Sequence, residues 1–299
     1  MSNLISDQQK YDPWESKQEI TDVKITILCS RYSMLSEWEC YNLTSPFWRI
    51  YHTRFGGGFI CFEGKTIELC PSSVVIIPPN TAFSCYLKMP GKYKHEKIKS
   101  IQINDETEIK LNSKKGMIDQ LFVHFKLGFP YDWVKPDIYQ FKIDKQSEIL
   151  IRSIELNLIQ EPFFIDFRNN ISIKYFVLYA LRLLPTLIWK VPNIDERILK
   201  AVKHIDNHIS DSLSNHDLSK IVNLAKNSFA RLFKENIKCT VRDFILQRRI
   251  DHAITLFHHT NIPIEQVAVQ CGFYDRHHFS RFFKSFTGLS PANYRKKFI

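Results

Sequence analysis

The chain has 299 residues, 44% of them hydrophobic and 24% charged, so it is long enough for two domains and has an ordinary globular composition. Its longest apolar stretches fall short of the 18 residues of a membrane-spanning helix, and its polar, acidic N-terminus does not resemble a signal peptide. The net charge of +10 is concentrated in residues 195–299, which hold 17 Lys and Arg against 10 Asp and Glu. This asymmetry favours a polyanionic partner for the C-terminal third, although a solvated basic surface has the same charge count.

The cysteines predict a reducing environment. Their number is odd and none form a CxxC pair, which argues against a disulfide framework and against a zinc ribbon. We therefore expect reduced thiols in a cytoplasmic protein. The seven positions are Cys29, Cys40, Cys61, Cys70, Cys85, Cys239 and Cys271.

The first half of the chain has the pattern of a strand-rich domain. Residues 1–20 are predicted to be an N-terminal arm. From 21 to 143, β-branched and aromatic runs alternate with turn residues, and "LFVHFKLG" (121–128) puts Leu121, Val123, Phe125 and Leu127 on one face. Short strands without intervening helices predict an antiparallel barrel or jelly roll.

The hydrophobic period changes to that of helices at about residue 144. Two apolar helices are predicted over 145–160 and 169–190, within a segment 144–190 that either mediates dimerisation or packs against its own barrel. A linker at 191–195, containing Pro192, separates this segment from an all-helical region at 196–299. The fold class is therefore α+β and multidomain.

A long helix lies near the middle of the C-terminal region. It is predicted to begin after Thr240, a favourable N-cap, and to end near His258. His258 and His259 would then interact favourably with the helix dipole when protonated.

An internal repeat surrounds this helix. "FARLFKENIKCTVRDF" (229–244) aligns without gaps on "FSRFFKSFTGLSPANY" (279–294), and Asn223 falls opposite Gly272. Both residues tolerate the left-handed backbone conformation of a sharp turn between helices. Two copies of helix, turn and helix predict two helix-turn-helix units joined by the long helix.

The second helix of such a unit enters the major groove of DNA. These recognition helices are predicted at about 226–236 and 275–286. In the second, Phe279, Phe282, Phe283 and Phe286 are predicted to form the buried face. The residues predicted to contact DNA are Lys226, Asn227, Ala230, Arg231, Lys234, Arg276, His277, His278, Ser280, Arg281 and Lys284.

Side-chain chemistry distinguishes the roles of these residues. Arg pairs with guanine and Asn with adenine through two parallel hydrogen bonds, whereas Lys234 and Lys284 are better placed for phosphates. The long helix, of roughly 18 residues, would span about 27 Å. The two recognition helices would then lie about 34 Å apart, which is one turn of DNA.

The stretch "GFYDRHHFSRFFKSFTGLSPANYR" (272–295) closely resembles the signature of the AraC/XylS family of bacterial transcription regulators, and the similarity extends more weakly back to about residue 195. The resemblance implies an effector-responsive, sequence-specific activator that contacts RNA polymerase and forms a homodimer. Two positions depart from the pattern. Ala225 lacks the capping hydroxyl usual before the first recognition helix, and Lys238 stands where the second unit has Gly288.

The strand-rich half resembles, more weakly, the cupin-like effector-binding domain of that family, through "SSVVIIPPNTAFSCY" and "LFVHFKLG". The resemblance implies a small-molecule pocket, with a sugar as one option. The nominated effector-binding residues are Trp48, His52, Phe83, His124 and Trp133.

Two other functions are compatible with the pattern. One is a cupin-type metalloenzyme with an appended helical domain, and the other is an architectural DNA binder without an effector. The domain has only His52, His95 and His124 and no HxH motif, so we predict no catalytic residues, no metal site and no cofactor.

Overall fold

The computed structural model describes residues 23–87, 97–190 and 193–298. The predicted arm, His95 and the first two residues of the predicted linker lie outside these ranges. In the described part of the first half, the elements in chain order are β1 (Thr26–Leu43), β2 (Trp48–His52), β3 (Gly58–Phe62), β4 (Lys65–Leu69), β5 (Ser73–Ile77), β6 (Phe83–Tyr86), β7 (Lys97–Gln102), α1 (Glu106–Lys114), β8 (Ile118–Lys126) and β9 (Tyr139–Lys142).

These strands form a nearly closed antiparallel barrel, as predicted. The strand order is β4-β3-β6-β1-β8-β2-β5-β9, with β7 also paired to β1. The long strand β1 pairs with β8 along its first half and with β6 at its end. Its register shifts between Ile27 and Cys29 against β8 and between Cys40 and Leu43 against β6, as at β-bulges. Leu121, Val123, Phe125 and Leu127 are all buried.

Helix α1 corrects the expectation of strands without intervening helices. It begins at an N-cap, Asp105, whose carboxylate accepts hydrogen bonds from the backbone N–H groups of Thr107 and Glu108. Only Ile109 of this helix is buried. The helix was missed because a mostly polar segment has little hydrophobic periodicity, although the Asp before two glutamates is a capping signal.

Two helices, α2 (Lys145–Gln160) and α3 (Phe167–Arg182), follow the barrel and pack against it. Ile154 of α2 and Phe176 of α3 belong to the same core as Trp48 and Phe125 of the barrel.

The predicted helix over 169–190 is too long, because α3 ends at Arg182. Pro185 interrupts it, because proline lacks the N–H that continues the helix, and a 3₁₀ turn at Thr186–Trp189 follows.

The C-terminal region is all-helical. Its elements are α4 (Glu196–Asn207), α5 (Asn215–Ile221), α6 (Lys226–Ile237), α7 (Val241–His259), α8 (Ile264–Gln270), α9 (Arg276–Thr287) and α10 (Pro291–Phe298). Helix α7 contributes to two separate cores. Val241 and Phe244 pack with α4, α5 and α6, whereas Ala253 and Phe257 pack with α8, α9 and α10. The central helix thus links two small domains that each bury their own apolar face.

The expectation of reduced thiols throughout is wrong for one pair. Cys40 of β1 and Cys85 of β6 are directly opposite in register and joined by a disulfide, with their Cα atoms 5.2 Å apart. The pairing depends on the strand order, which the spacing of 45 residues does not reveal. Cys29, Cys61, Cys70, Cys239 and Cys271 are free.

Among the described residues, no helix combines the length and the apolar character that crossing a membrane requires.

Candidate nucleic-acid interface

The two helix-turn-helix units have matching backbone geometry. The turn residues Asn223 and Gly272 have φ angles of 54° and 72°, and the residues that end the recognition helices, Lys238 and Gly288, have φ angles of 67° and 75°. All four lie in the left-handed region, which the alignment of the repeat predicted for Asn223 and Gly272. Lys238 therefore adopts the conformation of its glycine counterpart in spite of its side chain.

The recognition helices α6 and α9 bury equivalent aromatic residues. Phe229 and Phe233 of α6, and Phe279 and Phe283 of α9, are fully buried. Phe286 corrects the prediction of a four-residue buried face, since it is 43% exposed at the end of α9. It lies beside a cavity between this end of the helix and residues 41–46 of the barrel domain.

The predicted DNA-contacting side chains lie on the outward faces of α6 and α9. Eight of the eleven are exposed, and Ala230, His278 and Ser280 are partly exposed. The nucleotide contacts of these residues stay predictions. Accessible basic side chains on both helices are what such contacts require.

The exposed cations differ in their neighbours. Arg276 forms an ion pair with Glu265, and Arg231 lies 3.8 Å from Glu235 one turn along α6. Lys234, Arg281 and Lys284 form no ion pair with any carboxylate in the described ranges. These three cations therefore have their full charge available for an anionic partner.

The two helices start differently. Asp275 caps α9, because its carboxylate accepts a hydrogen bond of 2.7 Å from the backbone N–H of His278. This hydrogen bond to the backbone holds the pKa of Asp275 below its usual value. Ala225 has the extended conformation of an N-cap but makes no side-chain hydrogen bond, which leaves the first turn of α6 without a cap.

Replacing Ala225 with serine should raise the free energy of unfolding by about 1 kcal/mol, because the hydroxyl would accept from a free N–H of the first turn. Urea unfolding followed by circular dichroism measures the change. Asp275→Ala is the matched control in the second unit and should destabilise by a similar amount. A serine variant no more stable than the parent would contradict the cap geometry.

Arginines of α7 hold the two units in place. Arg248 donates two hydrogen bonds to Asp206 of α4, from Nε at 2.7 Å and from Nη2 at 2.9 Å. Arg249 donates to the carbonyl oxygens of Ile209 and Asp211, and its guanidinium lies 5.8 Å from the ring centroid of Phe273 in the second unit. These two neighbouring arginines of α7 thus form hydrogen bonds to the first unit, and Arg249 also contacts the second.

Sequence comparison gives this geometry a family. Residues 218–297 match a family model described as "Helix-turn-helix domain". The C-terminal region is an AraC-type helix-turn-helix domain. The match begins in α5 and ends in α10, so it spans both units and α7.

Curated relatives of the AraC-type domain are transcription regulators. "Probable transcriptional regulator LumQ" of Photobacterium leiognathi is 34% identical over 92 residues, covering 31% of this chain and 37% of that protein. "Arabinose operon regulatory protein" of Escherichia coli (strain K12) is 34% identical over 107 residues, covering 35% and 36%. The chain thus matches little more than a third of the length of either relative.

The whole fold has a counterpart among solved structures. ToxT from Vibrio cholerae O395, bound to (E)-4-(8-methylnaphthalen-1-yl)but-3-enoic acid, superposes with a TM-score of 0.50 at 12% identity, covering 91% of this chain and 99% of that one. This likeness concerns the fold alone: a barrel followed by helices and an all-helical C-terminal region.

Two of the nominated effector-binding residues are in the core. Trp48 is fully buried, stacked at 5.9 Å on Phe125 and on Trp189, and its indole N–H donates to Asp132 at 2.9 Å. Phe83 is also buried, beneath the guanidinium of Arg49. Both residues stabilise the barrel and line none of its described cavities.

His52 lines a cavity of about 540 Å³ between the barrel and α2. Its Nδ1 lies 3.2 Å from Oε1 of the buried Glu155, and its Nε2 lies 3.2 Å from the carbonyl oxygen of Pro71. Trp133 lies elsewhere. It is 43% exposed, and its ring packs against Phe244 of α7.

His124 lines a second cavity, of about 220 Å³, between the barrel and α7. Arg31, Arg49, Gln120 and His258 are also in its wall. The five nominated residues therefore do not surround one pocket. The arginines and Gln120 were not nominated, because strand alternation alone does not show which charged side chains face a cavity.

His258 and His259 lie in the last turn of α7, as predicted, but burial disfavours the protonated form that would interact with the helix dipole. Burial, with the nearby cation of Arg49, lowers the pKa of His258 well below its usual value and that of His259 to about 4. Phe47 of the barrel packs against both rings, with centroids 5.5 Å and 4.9 Å away. The end of α7 is thus docked against the barrel, which the sequence did not reveal.

Proposed function

We propose that the protein is a sequence-specific DNA-binding transcription regulator that inserts α6 and α9 into successive major grooves. The observation that carries this proposal is the presence of two equivalent units with exposed basic recognition faces, joined by one shared helix. The names of its relatives support regulation of transcription, and the family resemblance supports activation through RNA polymerase rather than catalysis.

Selection of bound duplexes from a random pool, followed by hydroxyl-radical footprinting, tests the proposal. We expect two protected segments on one face of the duplex, about 10 base pairs apart from centre to centre. Binding without any sequence preference would favour an architectural DNA binder instead. Protection of one segment alone would contradict simultaneous insertion of both helices.

We further propose that the barrel domain binds an effector in the cavity beside α7. The wall of this cavity contains buried polar atoms without a partner in the described residues, among them Nε of Arg49, Nε2 of Gln120 and Nε2 of His124. Buried polar atoms of this kind favour a polar ligand. ToxT, which shares the fold, is described with a small organic acid bound.

Replacing Lys234 with alanine should weaken binding to all duplexes similarly, because a lysine near a phosphate contributes charge and no base discrimination. The slope of log K against log salt should become shallower by about one unit. Fluorescence anisotropy at several salt concentrations measures both effects. Lys110→Ala, on α1 of the barrel domain, is the matched control, and an equal loss there would contradict a local phosphate contact.

The helices that follow the barrel also support a homodimer. Ile171, Tyr175 and Leu178 share one face of α3 at helical spacing and are 46–52% exposed, and Phe163 and Phe167 nearby are more than 80% exposed. Apolar patches of this kind occur mainly at interaction sites. A second copy of the chain is the occupant that we propose, since the inner faces of α2 and α3 are already used by the barrel.

A double replacement, Ile171→Ser with Leu178→Ser, should therefore shift the protein from dimer to monomer in sedimentation equilibrium, while its secondary structure is retained. Lys110→Ser, exposed on α1 and away from this face, should leave the dimer intact. A wild-type chain that sediments as a monomer at micromolar concentration would contradict the dimer.

A further inference from the structure

Three potential metal ligands meet where α7 docks on the barrel. Cys29 lies on β1, His124 on β8 and His259 in the last turn of α7, and their ligand atoms all lie within 4.8 Å of one another. His124 Nδ1 and His259 Nε2 are 3.1 Å apart. The three residues are far apart in the sequence, so no short motif indicates the cluster.

Hydrogen bonding leaves the imidazole of His259 ready to coordinate. His259 Nδ1 lies 2.7 Å from the carbonyl oxygen of Thr255 and must donate to it, because a carbonyl only accepts. His259 Nε2 therefore carries a lone pair that points at His124. A backbone carbonyl that fixes the tautomer of a histidine in this way is the usual outer-shell partner of a metal ligand.

His124 can coordinate after a change of tautomer. In the absence of a ligand, its Nδ1–H donates to His259, and its Nε2 is buried without a hydrogen-bond partner in the described residues. His124 is nine-tenths buried. Moving the proton from Nδ1 to Nε2 would break no other hydrogen bond, and it would leave two nitrogen lone pairs facing the same point.

The spacing is close to that of a metal site. With metal–nitrogen bonds of about 2.0–2.1 Å, two ligands at a tetrahedral centre are about 3.3 Å apart, and a metal–sulfur bond of about 2.3 Å gives nitrogen–sulfur separations of about 3.5 Å. The nitrogens already meet this distance, and the sulfur needs to approach by little more than 1 Å.

The charges around the cluster favour a soft ion of low charge. Arg31 and Arg49 lie nearby in the same cavity wall. Burial raises the pKa of the Cys29 thiol to about 12, and Arg31 and Arg49 oppose that rise only in part. Their positive field also opposes a high charge on the ion. A thiolate selects soft ions such as Cu⁺ and Zn²⁺ over Mg²⁺ and Ca²⁺. Cu⁺ with one thiolate adds no net charge, so we expect it to bind more tightly than Zn²⁺.

We propose that Cys29, His124 and His259 bind a thiophilic d¹⁰ metal ion, Cu⁺ or Zn²⁺, and that this ion is a regulatory ligand of the protein. The second clause rests on the proposed function. Binding forms one metal–sulfur and two metal–nitrogen bonds, and the thiol proton of Cys29 goes to solvent.

The position of the site couples metal binding to the DNA-binding domain. Two ligands belong to the barrel and the third to α7, so the complete site exists only while α7 is docked. An ion that binds the docked arrangement better than any other shifts the population toward it. Because α7 belongs to the cores of both helix-turn-helix units, the ion would restrict how both recognition helices move relative to the barrel.

Metal binding is tested on the full chain under nitrogen, by competition with a chromophoric Cu⁺ chelator in ascorbate and by a separate Zn²⁺ titration. We expect one equivalent of high affinity. Cys29→Ser and His259→Gln should each weaken it by more than about 100-fold, which exceeds the effect of losing an outer-shell partner. Cys61→Ser and His252→Gln are matched controls, a free cysteine of β3 and another histidine of α7, and should retain the affinity.

Co²⁺ substitution identifies the ligands by spectroscopy. A sulfur-to-cobalt charge-transfer band in the near ultraviolet is expected in the wild-type chain and in Cys61→Ser, and it should be absent in Cys29→Ser. Absence of a tight equivalent, or equal binding by Cys29→Ser, would overturn the site.

Regulation is a separate measurement. Addition of one equivalent of the ion should change operator affinity at least fivefold in the wild-type chain and not in Cys29→Ser. A bound ion without such a change would overturn the regulatory role but not the site. Failure of the metal-free chain to bind any selected duplex would overturn the proposed function, and the metal titrations would still decide the site.

Discussion

Replacing Arg281 with alanine should weaken binding to the selected operator by about 1–3 kcal/mol, or roughly fivefold to 150-fold, and relax the preference at one base pair. Arg281 lies on the outward face of α9 and forms no ion pair with a carboxylate in the described residues. Its five N–H donors are free to bind guanine O6 and N7, so its loss removes two directional hydrogen bonds and one charge.

Quantitative binding to the operator and to its three single-base variants at the contacted position measures both effects. Arg182→Ala, an exposed arginine of α3, is the matched control and should leave affinity and selectivity unchanged. Arg276→Ala should have a smaller effect than Arg281→Ala, because Arg276 must leave Glu265 before it can contact DNA. If Arg281→Ala binds all four duplexes as the parent does, α9 is docked differently from our proposal.

Replacing Gly272 with alanine should lower the free energy of unfolding by about 2–4 kcal/mol, from two causes that add. The backbone has a φ of 72°, where a Cβ costs about 1–2 kcal/mol. The added Cβ would also lie 2.7 Å from Nη2 of Arg249 and 2.8 Å from the carbonyl oxygen of Ile209. Relief of that clash displaces the guanidinium and its two hydrogen bonds, each contributing about 1 kcal/mol.

Urea unfolding followed by circular dichroism measures the loss. Asn223→Ala is the matched control, since Asn223 has a similar φ of 54° at the same turn of the first unit but already carries a Cβ. It should report only the small difference between asparagine and alanine in this conformation. Equal losses in the two variants would show that the contact with Arg249 contributes nothing.

Repetition made the C-terminal region predictable. The coincidence of four residues in the two copies located both turns, both recognition helices and the long helix to within one or two residues. The ends of these helices could also be predicted from local sequence. N-caps such as Thr240 and Asp275, and a left-handed residue such as Gly272, depend only on their immediate neighbours. The prediction that Phe286 is buried was wrong, since hydrophobic periodicity does not show where the surface that covers a helix ends.

The barrel was predictable as a class of fold but not as a site. Alternation over 121–128 located the strand β8 and its buried face. It gave no indication that Cys40 faces Cys85, or that His124 meets His259, because those pairs depend on strand order and on the docking of α7. Trp48 and Phe83 were nominated as effector-binding residues because of their aromatic side chains, but both pack inside the barrel.

Because α7 packs in both helix-turn-helix cores, its length determines how the two recognition helices are placed relative to the operator. One residue inserted at its centre would turn the second unit by about 100° around the helix axis and move it by about 1.5 Å. A single insertion would thus point α9 away from a duplex already held by α6. We therefore expect changes in length to be tolerated only in the loops at either end of the helix, so that the rigid helix sets the distance between the two half-sites.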